Sequence, residues 1–388
     1  MARVPLLPTA RRRMSENLSV GFVADLPVHK CQFLDRDLAF NGSLENHGKA
    51  LQNRMPKAHY TTPVGARTTL ALVLLIALFV PSPVYPEQKT SACPPPPTTP
   101  TADEIQVMVQ NAKDRGFLWR YEKNGNTGYL YGSIHVGRRE WIVPGPKTMA
   151  ALQSAGVIAL ELDILDPKVQ QQMSDPSRFG IKKVQLPPSL KLRMETIAKR
   201  VCAPVETLEE LHPLMQLITV TIHDARFSGL ELAYGSEIFL AGFSRGAKKR
   251  IEGLETPELQ MHALLAGEAQ DIIETVESGL TLFETGKQRT QTDRLINAWA
   301  TRNMDELQRY EEWCECMITE TDRKYMKGLL DDRNPHLAAS IDKLSRDGRK
   351  VFAAVGSLHL IGPNSVPKQL EKMGYKIERV VFEEIARH

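Results

Sequence analysis

The sequence predicts an α/β (α+β) fold, with a central mixed sheet built from both ends of the mature chain and a large α-helical insertion. Short apolar segments bounded by Gly, Pro and Asn occur before residue 163 and again after residue 349, and such segments are typical of strands. Between them, from about residue 187 to about residue 347, apolar residues recur with helical spacing. We therefore predict a single domain over residues 101–388.

Local signals define the elements before the insertion. Thr101-Ala-Asp-Glu104 is a capping box and predicts a helix that runs to about Arg115. The other predicted elements are strands over 117–122 and 128–132 with a turn at 124–126, a helix over 146–155 and an apolar strand over 156–162.

Helices dominate the insertion, and strands return after it. The predicted helices are 188–200, 206–227, 237–246, 257–265, 269–283, 287–300, 304–314 and 321–330, with one strand-like stretch over 249–256. A strand over 350–356, a helix over 363–373 closed by Gly374, and a strand over 375–382 complete the domain.

The first hundred residues differ from the rest of the chain. Residues 1–67 show no sustained period, which predicts an unstructured or mis-assigned N-terminal extension. Residues 68–86 contain a charge-free run over 69–80 that prolines end at once, which is typical of a signal-peptide core or a signal anchor. Residues 87–100 are rich in proline and predict a stiff linker.

Two interpretations of the apolar run remain open. It is either a signal anchor with a cytoplasmic tail, or a signal peptide that starts at Met55, and signal peptides normally sit at the N-terminus. Both predict an exported domain, periplasmic or anchored facing the periplasm, with residues 69–80 as a possible membrane tether. Four cysteines follow the run and permit two disulfides in three pairings, although one bridge or free thiols stay open: Cys93, Cys202, Cys314 and Cys316.

Charge excludes one class of partner. The 388 residues include 49 Lys and Arg against 46 Asp and Glu, so the chain lacks the basic excess that nucleic-acid backbones require. The predicted partner is therefore a peptide or small-molecule substrate, with no nucleic acid.

A repeated motif carries the predicted chemistry. Tyr129–His135 and Phe352–His359 are both apolar strands that end in Gly-Ser-apolar-His. Small residues let the backbone turn sharply at a strand end, and the following histidine then projects from the carboxyl edge of the sheet. Two such edges in one sheet bring two imidazoles together, and imidazole is a common metal ligand and general base.

A carboxylate is predicted at the same edge. Glu161 follows the apolar strand Val157–Leu160, where an unpaired carboxylate is costly unless a metal or another cation accompanies it. Asp163 faces the same way in a strand. Two histidines and one carboxylate are a familiar layout for a divalent metal that activates water, so His135, His359 and Glu161 are predicted to bind Mn, Co or Zn.

An Arg-Asn pair between two helical segments completes the predicted site. Arg333 is the type of residue that clamps a carboxylate or stabilises an oxyanion, and Asn334 before Pro335 favours a non-helical bend that aims Arg333 inward. The predicted catalytic residues are His135, His359, Glu161 and Arg333, and the predicted substrate-binding residues are Asn334 and Glu255. Glu237, in the helical region, is left outside the predicted site.

These motifs resemble those of the TraB/PrgY/GumN family, which is related to the TIKI proteases and more distantly to ChaN-like and erythromycin-esterase-like proteins. The resemblance covers roughly residues 116–382. It rests on Tyr131–His135, Ala159–Asp163, Gly253–Thr256, Arg333-Asn334 and Val355–Gly362. The family motif continues Arg-Asn-x-x-Met, and Leu337 stands here in place of the methionine.

The resemblance implies an α/β core with a helical insert and, for TIKI-like members, a metal-dependent peptidase activity. The first expectation is therefore an exported metal-dependent hydrolase with a peptide substrate. One alternative is a metal-independent, esterase-like hydrolase in which a histidine acts directly as the base. Another is a non-catalytic protein that binds haem, a metal or a peptide, with Tyr129 and Tyr131 as possible haem ligands.

Overall fold

The computed structural model describes residues 93–265, 267–346 and 348–382. The predicted extension over residues 1–67, the apolar segment over 68–86 and the start of the linker over 87–92 lie outside the described residues. Among the residues that are described, no helix has both the length and the apolar character needed to cross a bilayer.

A six-stranded mixed sheet forms the centre of the described chain and confirms the predicted fold class. Its strands are β1 (Phe117–Lys123), β2 (Asn126–Ser133), β3 (Val157–Leu160), β4 (Arg250–Gly253), β5 (Val351–Gly356) and β6 (Lys376–Arg379). They lie in the order β4-β3-β5-β2-β1-β6. The four strands β4, β3, β5 and β2 run parallel to one another, whereas β1 runs antiparallel to both β2 and β6.

The predicted hairpin and the apolar central strands are confirmed. Asn124 and Gly125 both have positive φ, at 52° and 79°, and this conformation gives the tight turn that joins β1 to β2. Every residue of β3 is buried, as are the first five residues of β5, because both strands have neighbours on each side and are covered on each face.

The strand-like stretch inside the insertion belongs to the central sheet. β4 pairs with β3 in parallel, from Val157 opposite Arg250 to Leu160 opposite Gly253. The sheet therefore does not come from the two ends of the chain alone. This pairing satisfies the outer hydrogen-bonding edge of β3, which an isolated apolar strand would leave unpaired.

Helices surround the sheet and fill most of the insertion. The α-helices of the described chain are α1 (Ala102–Gln110), α2 (Pro146–Ser154), α3 (Pro167–Met173), α4 (Pro188–Arg200), α5 (Val205–Leu208), α6 (Pro213–Ala225), α7 (Ser236–Gly246), α8 (Pro257–Leu265), α9 (Ala269–Glu284), α10 (Lys287–Ala300), α11 (Met304–Gln308), α12 (Tyr310–Trp313), α13 (Glu320–Leu329), α14 (Asn334–Ser345) and α15 (Val366–Lys372). Short 3₁₀ turns occupy Arg139–Trp141, Pro176–Phe179, Arg226–Ser228, Leu232–Tyr234 and Ser357–Leu360.

Two predicted helices are each split in the structure. The helix expected over 206–227 breaks before Pro213, because proline lacks an amide hydrogen and starts a new helix, α6, that His212 caps through its ring nitrogen. The helix expected over 304–314 is interrupted at Arg309 between α11 and α12. The capping box at Thr101 is confirmed at the start of α1.

The insertion has its own apolar core. Buried residues of α4, α6, α8 and α9 pack together in a cluster separate from the one around the sheet. Its centre includes Met194, Val220, Met261, Val276 and Leu280. These helices therefore form a lobe, called here the helical lobe, with a core of its own.

Residues 93–100, called here the N-terminal strap, lie against the domain. Cys93 forms a disulfide with Cys202, and Cys314 pairs with Cys316, which selects one of the three possible pairings. The guanidinium of Arg226 donates to the carbonyl oxygens of Pro94 and Pro95, at 3.1 and 2.9 Å. The part of the predicted linker that the structure describes is therefore bound to the folded domain.

Candidate active site

One chemically active side chain follows each of the four parallel strands. His135 follows β2, His359 follows β5, Glu161 follows β3 and Glu255 follows β4. Because these strands run in the same direction, their carboxyl ends meet at one edge of the sheet, where open α/β sheets place their ligand crevice.

The two Gly-Ser-apolar-His motifs interlock. β2 and β5 are neighbours, and Ser133 lies opposite Gly356, so the second motif is offset from the first by one residue. The hydroxyl of Ser357 donates to the carbonyl oxygen of Ser133 at 2.9 Å. The serines of the motifs thus fix the relative position of the two chain segments that carry the histidines.

The side chain of Glu161 is ionised, and three hydrogen-bond donors contact its oxygens. The amide of Gly356 donates to Oε1 at 2.6 Å, Arg333 donates to Oε2 at 2.6 Å, and Gln260 of α8 donates to Oε2 at 3.3 Å. Burial raises the pKa of Glu161, but nearby positive charge and the Gly356 amide outweigh burial and lower the pKa to about 2. His359 when protonated, Arg333 and His135 supply that charge.

Arg333 lies at the centre of the cluster and pairs with two carboxylates. Its Nε donates to Oε1 of Glu255 at 2.9 Å, and its Nη2 contacts both Oε2 of Glu255 and Oε2 of Glu161. Its Nη1 donates to the carbonyl oxygen of Leu329 at 3.0 Å. Burial alone would lower the pKa of Arg333, but the two carboxylates raise it, so the guanidinium stays charged.

His359 is buried and neutral. Its Nδ1 lies 2.7 Å from Oδ1 of Asn334, and its Nε2 lies 3.3 Å from Nη1 of Arg333. Because a guanidinium only donates, Nε2 accepts here and the ring proton is on Nδ1. Burial, together with the charge of Arg333, lowers the pKa of His359 to about 4, although Glu161 opposes this shift.

His135 has the opposite environment. Its side chain is 71% exposed, and its Nδ1 forms an ion-pair contact of 3.3 Å with Oε1 of Glu237. The Glu237 carboxylate raises the pKa of His135, and the water around the exposed ring screens this attraction. The same carboxylate oxygen accepts a 2.6 Å hydrogen bond from the hydroxyl of Ser133.

The predicted substrate-binding residues have protein partners. Asn334 is buried against His359, and Glu255 is buried against Arg333. Asn334 is also the first residue of α14, and Arg333 has helical backbone angles, so the predicted non-helical bend is wrong. The chain accommodates Pro335 because the first turn of a helix needs no amide hydrogen from it.

Some predicted residues lie away from the cluster, and one member was missed. Asp163 pairs with Arg245 at 2.7 Å, and Tyr131 is buried with its hydroxyl donating to the carbonyl oxygen of Arg115. Glu237, which sequence reasoning left out, contacts His135 from the first turn of α7. The available signal was an acidic residue directly after Gly-Ser at a helix start.

Comparisons with known proteins identify the family of the chain. Residues 117–379, which are more than half of the chain, match the TraB/PrgY/gumN family. The chain belongs to this family. It is similar to Metalloprotease TIKI1 of Danio rerio, with 20% identity over 313 residues, and the alignment covers 68% of this chain and 62% of that relative. No solved structure matches.

Within this TraB/PrgY/gumN domain, Leu337 replaces the methionine of the family motif. Its side chain is fully buried in the core around the sheet. Leucine and methionine have similar volumes, so the exchange preserves apolar packing next to Asn334.

The predicted metal ligands are engaged with other side chains. Nε2 of His359 and Oε2 of Glu161 both contact Arg333, while Nδ1 of His135 faces Glu237. Across the ranges that the structure describes, no three His, Cys, Asp or Glu side chains converge on a common point suited to a metal ion. In this arrangement the predicted ligand set does not fit a three-ligand metal centre, and metal binding by these residues stays a prediction.

Proposed function

We propose that this TraB/PrgY/gumN protein is an exported hydrolase that cleaves peptide substrates at the carboxyl edge of its sheet. One observation carries the proposal: two histidines, His135 and His359, lie in one cluster in opposite protonation environments. Pairs of titratable groups whose surroundings push their pKa values apart are the usual sign of an acid and a base that work together. The similarity to Metalloprotease TIKI1 supports the hydrolytic class.

His359 is the proposed general base. It is neutral, and its Nδ1 proton is held by Asn334. Its Nε2 contacts Nη1 of Arg333 at 3.3 Å, and the proposal requires the attacking water to take the place of this contact before Nε2 accepts the proton. The Glu161 carboxylate raises the pKa of His359 and so stabilises the imidazolium that forms. Arg333 supplies positive charge beside the reacting centre and keeps both neighbouring carboxylates ionised.

His135 is the proposed general acid. It lies exposed at the edge of the cluster, and Glu237 favours its protonated form. The imidazolium donates its proton to the leaving amine as the peptide bond breaks, and the proton taken from water by His359 balances this transfer.

The helical lobe lies next to the proposed reaction centre. Gln260 of α8 donates to Glu161, so the lobe borders the cluster on the side of β3 and β4. We propose that it forms one wall of the peptide groove. The paired cysteines support export, because stable disulfides form in oxidising compartments.

Peptide cleavage tests the proposed function and separates its metal-dependent and metal-independent forms. The full-length protein, purified without chelator, is incubated with a mixture of synthetic peptides, and cleavage is followed by mass spectrometry. The assay is repeated after EDTA treatment and after addition of Mn²⁺, Co²⁺ or Zn²⁺. We expect the wild type to cleave and the His135→Ala/His359→Ala variant not to cleave.

The metal content of both proteins decides the role of the metal. Stoichiometric metal that the double variant lacks, with EDTA-sensitive cleavage, supports the metallopeptidase form and the ligand set His135, His359 and Glu161. Cleavage that survives EDTA supports the metal-independent form. A protein that hydrolyses neither peptides nor simple esters under any of these conditions overturns the proposal, and a Soret band on adding haem then favours the binding alternative.

The pH dependence of cleavage follows from the two histidines. His359 acts only when unprotonated, and its pKa is lowered to about 4, so kcat/KM falls only as the pH drops toward that value. His135 acts only when protonated, and its pKa is raised, so the alkaline decline lies above the usual range of histidine. An acid limb centred near the ordinary histidine pKa, about 6.5, would contradict His359 as the base.

A further inference from the structure

Glu237 contacts His135, and the proposed function uses it only as a negative charge beside that residue. We propose that Glu237 is a positioning residue: it orients the imidazole of His135 through Nδ1 and leaves Nε2 as the nitrogen that meets the substrate. This inference rests on the proposed function of the same site.

Two chain segments hold Glu237 against the His135 loop, and we call this arrangement the clasp (residues 231–237 against 133–137). Gly137 and Glu231 exchange two backbone hydrogen bonds, at 3.0 and 2.8 Å. The amide of Ser236 donates to the carbonyl oxygen of Ile134 at 2.9 Å, and the amide of Ile134 donates to Oγ of Ser236 at 2.8 Å. The backbone on both sides of His135 is thus fixed to the segment that leads into α7.

A glycine allows the clasp to close. A Cβ added to Gly235 would lie 2.3 Å from the carbonyl oxygen of His135, which is closer than any side chain permits. The absence of a side chain at Gly235 therefore brings the chain directly beside His135. Glu237 follows two residues later, in the first turn of α7, where the helix dipole favours a negative charge.

The charge of Glu237 needs an explanation. Its side chain is 13% exposed, and burying a carboxylate is costly unless it is paired. The hydroxyl of Ser133 donates to Oε1 at 2.6 Å, but a neutral amide would accept that bond equally well. Compared with a neutral amide, a carboxylate at this position adds an ion-pair contact with Nδ1 of His135.

The contact determines which nitrogen of His135 is available. Nδ1 is directed to Glu237, the side chain is 71% exposed, and Nε2 has no hydrogen-bond or ion-pair partner among the described residues. A histidine whose two nitrogens have distinct roles donates or accepts at one fixed position. Glu237 therefore selects the nitrogen through which His135 acts.

Three variants of the full-length protein test this role. Glu237→Leu removes the acceptor, and Glu237→Gln keeps an acceptor oxygen but removes the charge. Glu231→Gln is the matched control: Glu231 lies on the same side of the clasp, is also 13% exposed and pairs with Arg226 instead of His135. The tautomer of neutral His135 is read from long-range ¹H–¹⁵N spectra, with His135→Gln to assign its signals. Cleavage of the best peptide from the wild-type assay gives kcat and KM.

We expect the wild type, Glu237→Gln and Glu231→Gln to keep the Nδ1–H tautomer, and Glu237→Leu to show a mixture. Glu237→Leu should lower kcat by about 10²-fold, with KM within about 3-fold, and Glu237→Gln should recover part of that loss. A single Nδ1–H tautomer and wild-type kcat in Glu237→Leu overturn the inference. If the wild type cleaves nothing, the proposed function fails, and the tautomer spectra still decide whether Glu237 orients His135.

Discussion

Replacing Arg333 with methionine is expected to destabilise the fold by about 3–5 kcal/mol and to abolish hydrolysis. The guanidinium contacts Glu161 and Glu255 together, and its side chain is only 10% exposed. Removing it leaves two carboxylates in a poorly hydrated site without their common counter-ion, which is more costly than the loss of an exposed pair.

Urea unfolding of the wild type and of Arg333→Met at neutral pH measures this change in the free energy of unfolding. Arg245→Met is the matched control, because Arg245 also pairs with an acidic residue beyond β3, Asp163, but its side chain is 39% exposed. Exposed pairs contribute little, so the control should change the free energy of unfolding by at most about 1 kcal/mol.

A second variant separates charge balance from catalysis. Adding Glu255→Gln to Arg333→Met removes one of the uncompensated charges, so it should recover part of the lost stability without restoring cleavage. If Arg333→Met is as stable as the wild type, the guanidinium does not hold the carboxylates together. If it is destabilised but still cleaves, Arg333 has only a structural role.

The sequence was most informative where local pattern and chemistry coincide. Gly-Ser-apolar-His occurs twice, each time with an apolar strand, and Glu161 directly follows another apolar strand. Each of these signals lies within a few consecutive residues. The strands β2, β3 and β5 pair in parallel in one sheet, so their carboxyl ends lie at the same edge. The placement of His135, His359 and Glu161 at one edge of the sheet follows from these local features.

The partners of those residues were not predictable in the same way. Ser133 and Glu237 are 104 residues apart, and Glu237 lies in an ordinary amphipathic helix whose sequence does not indicate what its first turn faces. Asn334 and Glu255 lie in the cluster, but the sequence does not indicate their partners His359 and Arg333, because each contact depends on how two distant elements pack. The polar sequence of the short strand β4 likewise does not indicate which sheet the strand joins, because its place is set by pairing with β3.

Replacing His359 with glutamine is expected to reduce kcat by about 10³- to 10⁴-fold while changing stability little. A glutamine side chain has both a donor and an acceptor, so it can donate to Oδ1 of Asn334 and accept from Nη1 of Arg333 in place of the ring. It cannot accept a proton from water at neutral pH, so the variant isolates base chemistry from packing.

The control for this variant lies on the same helix as Asn334. His336 is exposed on α14, and His336→Gln makes the same exchange without touching the cluster, so its cleavage rate and thermal unfolding should match the wild type. Asn334→Ala provides an intermediate case, because it frees the Nδ1 proton of His359 but keeps the ring, and its kcat should fall by about 10- to 100-fold. Equal cleavage by His359→Gln and the wild type would mean that the neutral, buried imidazole at the end of β5 stabilises the cluster without acting on the substrate.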